Sequence, residues 1–181
     1  MLFRSQAVSG SDIATAWTYN TTENANGVHI DGTYPSRIVF EHAGTYRIAY
    51  SGQIEKIQGG TSTNVTIFAK LNGNNVDRSS STVTLVANSA YQLPYVAYIF
   101  TVNANDYVEF FFTAPSQYVQ ITNTPSNASP AGPSVIIDVE QITYTQLGPQ
   151  GVQGTQGSQG PTGPQGAQGN QGLIEIGRAH V

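Results

Sequence analysis

A strict triplet repeat occupies the C-terminal part of the chain. Glycine stands at every third position from Gly148 to Gly172 without a miss. Three polyproline-II strands wind around one axis only where glycine recurs in this way, because no larger side chain fits there. The repeat therefore predicts a collagen-like segment over residues 148–174 and assembly of the chain as a homotrimer. The glycines assigned to the triple-helix axis are Gly148, Gly151, Gly154, Gly157, Gly160, Gly163, Gly166 and Gly169.

A disordered linker is the alternative interpretation of this segment. Its complete triplets contain only three prolines, and glutamine fills the third position almost throughout. A linker explains a segment rich in glycine and glutamine, but it does not explain a strict period. The collagen-like interpretation is therefore preferred. With little proline and no charges, so few triplets wind weakly alone, and we expect a trimerising domain beside them.

The residues before the repeat predict one all-β domain over residues 6–147. Only 10% of the chain is charged, and tyrosines and β-branched residues, which suit strands, are abundant. Short runs with strand character recur between turn residues, and no run of helical length interrupts them. We expect an antiparallel jelly-roll sandwich of about eight to ten strands. The predicted strands are Ser36–Phe40, Thr45–Ile57, Val65–Leu71, Thr82–Val86, Gln92–Val102, Tyr107–Thr113, Tyr118–Thr122 and Ser134–Tyr144, with turns at Asn72-Gly73 and Asn103–Asp106.

Four of these segments carry a family resemblance. Residues Ile38–Tyr50, Val65–Gly73, Tyr98–Phe110 and Ser134–Tyr144 resemble strands of the complement C-one-q globular head and its tumour-necrosis-factor-like relatives. The resemblance covers most of residues 30–145 and implies a ten-stranded jelly roll that assembles as a compact trimer. In the animal family the collagen stalk usually precedes the head, whereas here the head precedes the repeat. The resemblance is therefore extended to fold and trimer, not to complement function.

Charge and composition exclude several classes of partner. The net charge is −4 and there is no basic cluster, which argues against nucleic acid. No apolar run approaches the length of a membrane span, so membrane insertion is not expected. The absence of cysteine removes disulfides and thiolate metal sites.

No catalytic site, cofactor or metal is predicted from the remaining polar residues. His29 and His42 lie in turn-like contexts without paired ligand spacing and are interpreted as surface histidines. The segment Asn24–Asp31 is rich in oxygen atoms but lacks the spacing of a calcium loop, so a polar loop is favoured over calcium binding. Asp138 and Glu140 share one strand face and would serve as a carboxylate pair only if that face lined a cleft.

The aromatic run in Tyr107–Thr113 points to an interface. Alternation places Phe110 and Phe112 on one face of the strand and Tyr107 and Phe111 on the other. A strand that is apolar on both faces is buried on both sides. Tyr107 and Phe111 are therefore candidate trimer-interface residues, and a central strand covered by a loop is the alternative.

Both ends of the chain resemble translated sequencing adapter. Residues Met1–Ser5 and Ile176–Val181 match opposite strands of one widely used short-read adapter. We therefore expect residues 1–5 and 175–181 to be adapter-derived, and the native protein to continue in both directions.

Together these observations predict a non-enzymatic trimeric structural and adhesion protein at an extracellular or virion surface. The expected source is a virion (phage) fibre or a cell-surface appendage that displays a binding head on a collagen-like stalk. Its expected partners are its own copies and a host-surface glycan or protein. The expected contact loops are Thr21–Gly32, Gly59–Asn64 and Thr124–Pro133. The alternatives are a spacer without a ligand and, less favoured, a carbohydrate-active jelly roll.

Overall fold

The computed structural model describes residues 5–22, 25–86, 90–124, 130–143 and 158–169. The chain divides into two units, Met1–Gln146 and Leu147–Val181. Within the described residues every regular element is a β-strand and every strand pairing is antiparallel, which confirms the predicted all-β antiparallel class. The strands are β1 (Gln6–Ala7), β2 (Thr15–Ala16), β3 (Val28–Ile30), β4 (Ile38–Phe40), β5 (Gly44–Gly52), β6 (Ile54–Lys56), β7 (Thr63–Leu71), β8 (Asn74–Asn75), β9 (Ser81–Leu85), β10 (Ala90–Gln92), β11 (Tyr95–Val102), β12 (Tyr107–Thr113), β13 (Val119–Ile121) and β14 (Val135–Thr143).

The strands of the first unit form two layers. The large sheet has the order β3-β4-β12-β7-β8, with β2 paired to β12 and β9 paired to β7. The split sheet has the orders β11-β5-β14 and β1-β13-β6-β10. The two halves belong to one layer because the chain runs directly from one to the other twice. It continues from β5 into β6 after Gln53, and from β10 into β11 after Leu93-Pro94.

Aromatic side chains fill the space between the layers. The ring of Trp17, which follows β2 in the large sheet, lies 4.9 Å from the ring of Tyr50 in β5. The Phe110 ring in β12 lies 5.1 Å from the same tyrosine, and Phe40 in β4 lies 4.7 Å from Tyr46 in β5. All five side chains are buried. Their contacts join the two layers into one antiparallel sandwich.

Two predicted strands are each divided in the structure. The predicted strand Thr45–Ile57 breaks at Gln53, whose backbone N–H donates to Ser134 O and whose carbonyl accepts from Thr122 N. The predicted strand Gln92–Val102 breaks at Leu93-Pro94, where proline lacks the N–H that a ladder needs. In both cases the chain continues in the same layer. Side chains alternate along β5 and β6, with Tyr46, Ile48, Tyr50 and Ile54 facing inward.

The described part of the second unit, residues 158–169, is exposed and contains neither helix nor strand. It includes the triplet glycines Gly160, Gly163, Gly166 and Gly169, while Gly148, Gly151, Gly154 and Gly157 lie outside the described residues. In the described part of the chain, no helix is long and apolar enough to cross a membrane.

Candidate functional site

The outward side of the split sheet carries an exposed apolar surface. Residues of β11, β5 and β14 lie side by side there in three rows, Tyr95–Ser51–Ile136, Ala97–Ala49–Asp138 and Ile99–Arg47–Glu140. We call these nine residues the apolar face. Tyr95, Ile99 and Ile136 are 62%, 69% and 57% exposed. Because side chains alternate along a strand, the same strands that supply the core also place these large side chains in solvent.

Arg47 stands in the middle strand of the apolar face and is held by two neighbours. Its Nη2 atom donates to the Tyr95 hydroxyl at 2.5 Å, and its Nη1 atom lies 3.4 Å from Asp138 Oδ2. The arginine side chain is about a third exposed, whereas the aspartate is mostly exposed. The apolar face therefore carries one hydrogen-bonded polar cluster among its exposed apolar side chains.

Tyr107 and Phe111 lie on the outward side of the large sheet, on the opposite side of the sandwich from the apolar face. The Phe111 ring stacks on Phe68 of β7, with 5.6 Å between ring centroids, and Lys70 Nζ lies 4.4 Å from its centre. Arg37 lies over the Tyr107 ring at 4.3 Å. Both aromatic residues are half-buried. Contacts within one chain thus account for much of their apolar surface, and their role in a trimer interface stays a prediction.

The pattern that predicted an interface at β12, apolar residues on both faces of the strand, also occurs in β11. Val96, Tyr98 and Phe100 face the core, while Tyr95 and Ile99 on the other side are exposed. A strand that is apolar on both faces indicates a covered second face. The second face of β12 is covered by side chains of the same chain, whereas no described residue covers the second face of β11.

The described triplet glycines have no steric role within one chain. A Cβ atom added at Gly160, Gly163, Gly166 or Gly169 would have no heavy-atom neighbour within 4 Å. None of the four has a positive φ, so an ordinary residue could adopt their backbone conformation. In a single copy of this segment, therefore, nothing requires glycine.

Two of the three predicted contact loops border cavities. Residues of the loop Thr21–Gly32 line a cavity of about 700 Å³ between β3 and β14. Residues of the loop Gly59–Asn64 line a second cavity of about 590 Å³. In the third loop, Thr124 pairs with Gly132, and residues 125–129 lie outside the described residues.

Two of the polar residues considered for chemistry, His29 and Asp31, have local partners. His29 Nδ1 lies 3.1 Å from Glu41 Oε1, and both side chains are half exposed. Asp31 Oδ1 accepts backbone N–H groups from Thr33 and Tyr34, and these hydrogen bonds lower the pKa of the carboxyl. Among the described residues, no three side chains of His, Cys, Asp or Glu converge as metal ligands.

Asp138 and Glu140 lie two residues apart on the apolar face, on the same side of β14. Asp138 pairs with Arg47, as described above. The two carboxylates therefore do not face one another from opposing walls of a cleft.

Comparison with known proteins adds no family, since neither models of protein families nor curated protein sequences match the chain.

Proposed function

We propose that the chain is a subunit of a homotrimeric structural and adhesion protein, a jelly-roll head joined to a collagen-like stalk at an extracellular or virion surface. The strictly spaced glycines carry this proposal. Since nothing within one chain requires glycine at the described triplet positions, the period is explained by a requirement between chains. Three polyproline-II strands around one axis impose that requirement at every third residue.

The fold of the head supports the same proposal. The chain passes repeatedly between the two layers, as strands of a jelly roll do: from β4 to β5, from β6 to β7, from β9 to β10, from β11 to β12 and from β12 to β13. This connectivity agrees with the C-one-q-like resemblance of the sequence. It leaves β11, β5 and β14 as a continuous outward surface available to other copies.

We place the trimer contact on the apolar face. Three large apolar side chains are exposed together on one face of the sheet, which favours a binding surface there. A second copy of the chain is the occupant that the glycine repeat already demands. Burying a large apolar side chain completely contributes about 1.5–3 kcal/mol, so Tyr95, Ile99 and Ile136 provide substantial driving force.

The mechanism of adhesion is multivalent display. Three heads on one stalk present three copies of each loop to a surface, and simultaneous engagement raises the apparent affinity by about 10²–10⁴ without any new contact. Adhesion by this mechanism thus depends on assembly of the trimer, and each loop site needs to bind only weakly. A phage fibre and a bacterial surface appendage both use this geometry.

Light scattering of the purified chain and two variants tests the assembly. We expect the wild-type protein to have three times the mass of one chain and Ile136→Asp to be monomeric. Position 136 lies opposite the neutral Ser51, so the charge disturbs a contact between chains more than the fold of one chain. Phe111→Asp is the matched variant on the large sheet, and a monomeric Phe111→Asp is the result that the Tyr107 and Phe111 interface predicts.

Two results would contradict this assignment. A monomeric Phe111→Asp with a trimeric Ile136→Asp places the contact on Tyr107 and Phe111 instead. A wild-type chain that is monomeric at all accessible concentrations removes the trimer itself. Binding of the trimer to glycan arrays and cells then distinguishes an adhesion protein from a spacer without a ligand.

A further inference from the structure

Lys56 is a lysine in a core position. It ends β6, the strand between β10 and β13, and its side chain is only 2% exposed. Ile54, two residues earlier on the same face, is completely buried in the apolar core. An apolar residue would fill position 56 without the cost of removing an ammonium group from water. A lysine at this position is therefore expected to have a partner that compensates its charge.

The described residues supply only a neutral partner. Lys56 Nζ donates to the backbone carbonyl of Thr61, and no described carboxylate lies within 4 Å of it. The adjacent Glu55 points to the other face of β6 and accepts a hydrogen bond from Gln120. A lysine ammonium has three donors, and one carbonyl satisfies one of them. Among the described residues, the charge of Lys56 thus has no carboxylate to compensate it.

A polar cavity lies directly beside this ammonium group. Its volume of about 590 Å³ falls within the range of about 300–1,000 Å³ that is usual for ligand sites. The wall contains the hydroxyl and amide groups of Ser62, Thr63, Asn64 and Ser116, and no acidic residue lines it. Such walls donate hydrogen bonds to an oxyanion and do not repel it.

The loop over Lys56 holds the lysine at the cavity. Gly59 has a φ of 97°, a conformation that other residues rarely adopt. A Cβ atom at this glycine would lie 3.5 Å from Lys56 Cε and Nζ. The backbone at Gly59 and Thr61 therefore lies against the Lys56 side chain, which is one of the residues that line the cavity.

We propose that this cavity binds the oxyanion of an acidic sugar, a carboxylate or a sulfate, through the Lys56 ammonium group. This inference rests on the proposed adhesion function and names the ligand class of one head loop. An anionic group supplies the compensating charge that the chain lacks, and the hydroxyl-rich wall suits the sugar ring. Each trimer presents three such sites.

Calorimetric titration of the full chain tests the inference with four probes: a glucuronate disaccharide, a sulfated disaccharide, a neutral disaccharide and inorganic sulfate. We expect one of the two acidic disaccharides to bind at least tenfold more tightly than the neutral one, with an affinity that falls as salt is raised. The better of the two identifies the oxyanion. Tight binding of inorganic sulfate without a preference for either sugar would overturn the sugar assignment.

Variants connect the binding to the cavity. We expect Lys56→Met, which keeps most of the length of the side chain but removes its charge, to lose at least tenfold in affinity, and Lys56→Arg to retain part of it. Ser62→Asp adds a negative charge, like that of the ligand, to the exposed wall without changing the core. We expect it to abolish binding of the acidic sugar. Ser80→Asp, an exposed serine that does not line the cavity, is the matched control and should bind as the wild type.

Unchanged binding in Ser62→Asp would overturn the site even if Lys56→Met fails to fold. A trimer that binds cells but no acidic sugar would overturn this inference and leave the proposed function intact. A monomer without cell binding would remove the proposed function itself.

Discussion

Phe110 and Phe111 are neighbours in β12 and differ in what they contact. Phe110 is completely buried, and its ring lies within about 6 Å of the rings of Trp17 and Tyr50. Phe111 is half-buried on the outward side, stacked on Phe68. Two adjacent phenylalanines thus contribute to stability by different routes, one through the core and one through a surface pair.

We expect Phe110→Ala to lower the free energy of unfolding by about 3–5 kcal/mol, because it removes a buried ring and leaves a cavity. Phe111→Ala should cost clearly less, since its side chain is already partly in water. Urea unfolding followed by the fluorescence of Trp17, the only tryptophan of the chain, measures both. Equal losses would show that the outward side of the large sheet is as tightly packed as the core.

The side to which each of these rings points was predictable from the sequence, because side chains alternate strictly along a strand. The partner of the outward ring was not. Phe68 meets Phe111 through the register between β12 and β7, and register is set by the whole sheet rather than by either strand's pattern. The burial of Lys56 was unpredictable for the same reason, since it depends on the tertiary contact with the loop at Gly59 and Thr61.

At the scale of elements, two turns hold one end of the large sheet together. Asn72 and Gly73 have φ values of 50° and 79°, as the predicted hairpin turn between β7 and β8 requires. The Asn72 side chain donates to Asp106 Oδ1 at 2.8 Å and accepts from the backbone N–H of Tyr107 at 3.0 Å. Asp106 Oδ2 accepts the backbone N–H of Asn103 in the other predicted turn.

These hydrogen bonds lower the pKa of Asp106 below its ordinary value of 3.8, with the backbone N–H of Asn103 as the largest cause. A carboxyl with a lowered folded-state pKa stabilises the protein above its unfolded pKa, and the effect disappears as pH falls through the folded value. We expect Asp106→Asn to melt below the wild type at neutral pH, with the difference closing as pH falls below 3.8 and through the lower folded-state pKa. Calorimetry across that range measures it, with the exposed Asp77→Asn as the matched control.

The long strands and some short ones, such as β4 and β13, were predictable, but other short strands were not. The predicted segments around β5, β7, β11, β12 and β14 all contain a strand in the structure. The two- and three-residue strands β1, β2 and β3 have no periodic pattern of their own. They exist because β13, β12 and β4 offer them backbone partners, which is information about tertiary structure.

At the scale of the whole molecule, the stalk and the head should respond separately to mutation. We expect Gly163→Ala to lower the melting temperature of the collagen-type circular dichroism signal and to leave head unfolding unchanged. The added methyl group has room in one chain but not at a three-chain axis. Thr162→Ala, one residue earlier and off the axis, is the control. Equal effects of both substitutions would favour the linker interpretation.

Sequence composition was sufficient for the all-β class of the first unit, but not for choosing between its two candidate interfaces. Both β11 and β12 are apolar on two faces, so the pattern alone offers two interfaces. Only the three-dimensional arrangement shows that Phe111 has Phe68 as a partner, while Ile99 and Ile136 are exposed among the described residues.

The cluster of Arg47, Tyr95 and Asp138 makes the apolar face selective. A purely apolar partner would desolvate these polar groups without forming hydrogen bonds to them, at a cost of several kcal/mol. A partner surface must bring complementary polar groups to these positions to avoid that cost. Under the proposed assembly, a related subunit that lacks those groups is disfavoured even where its shape fits.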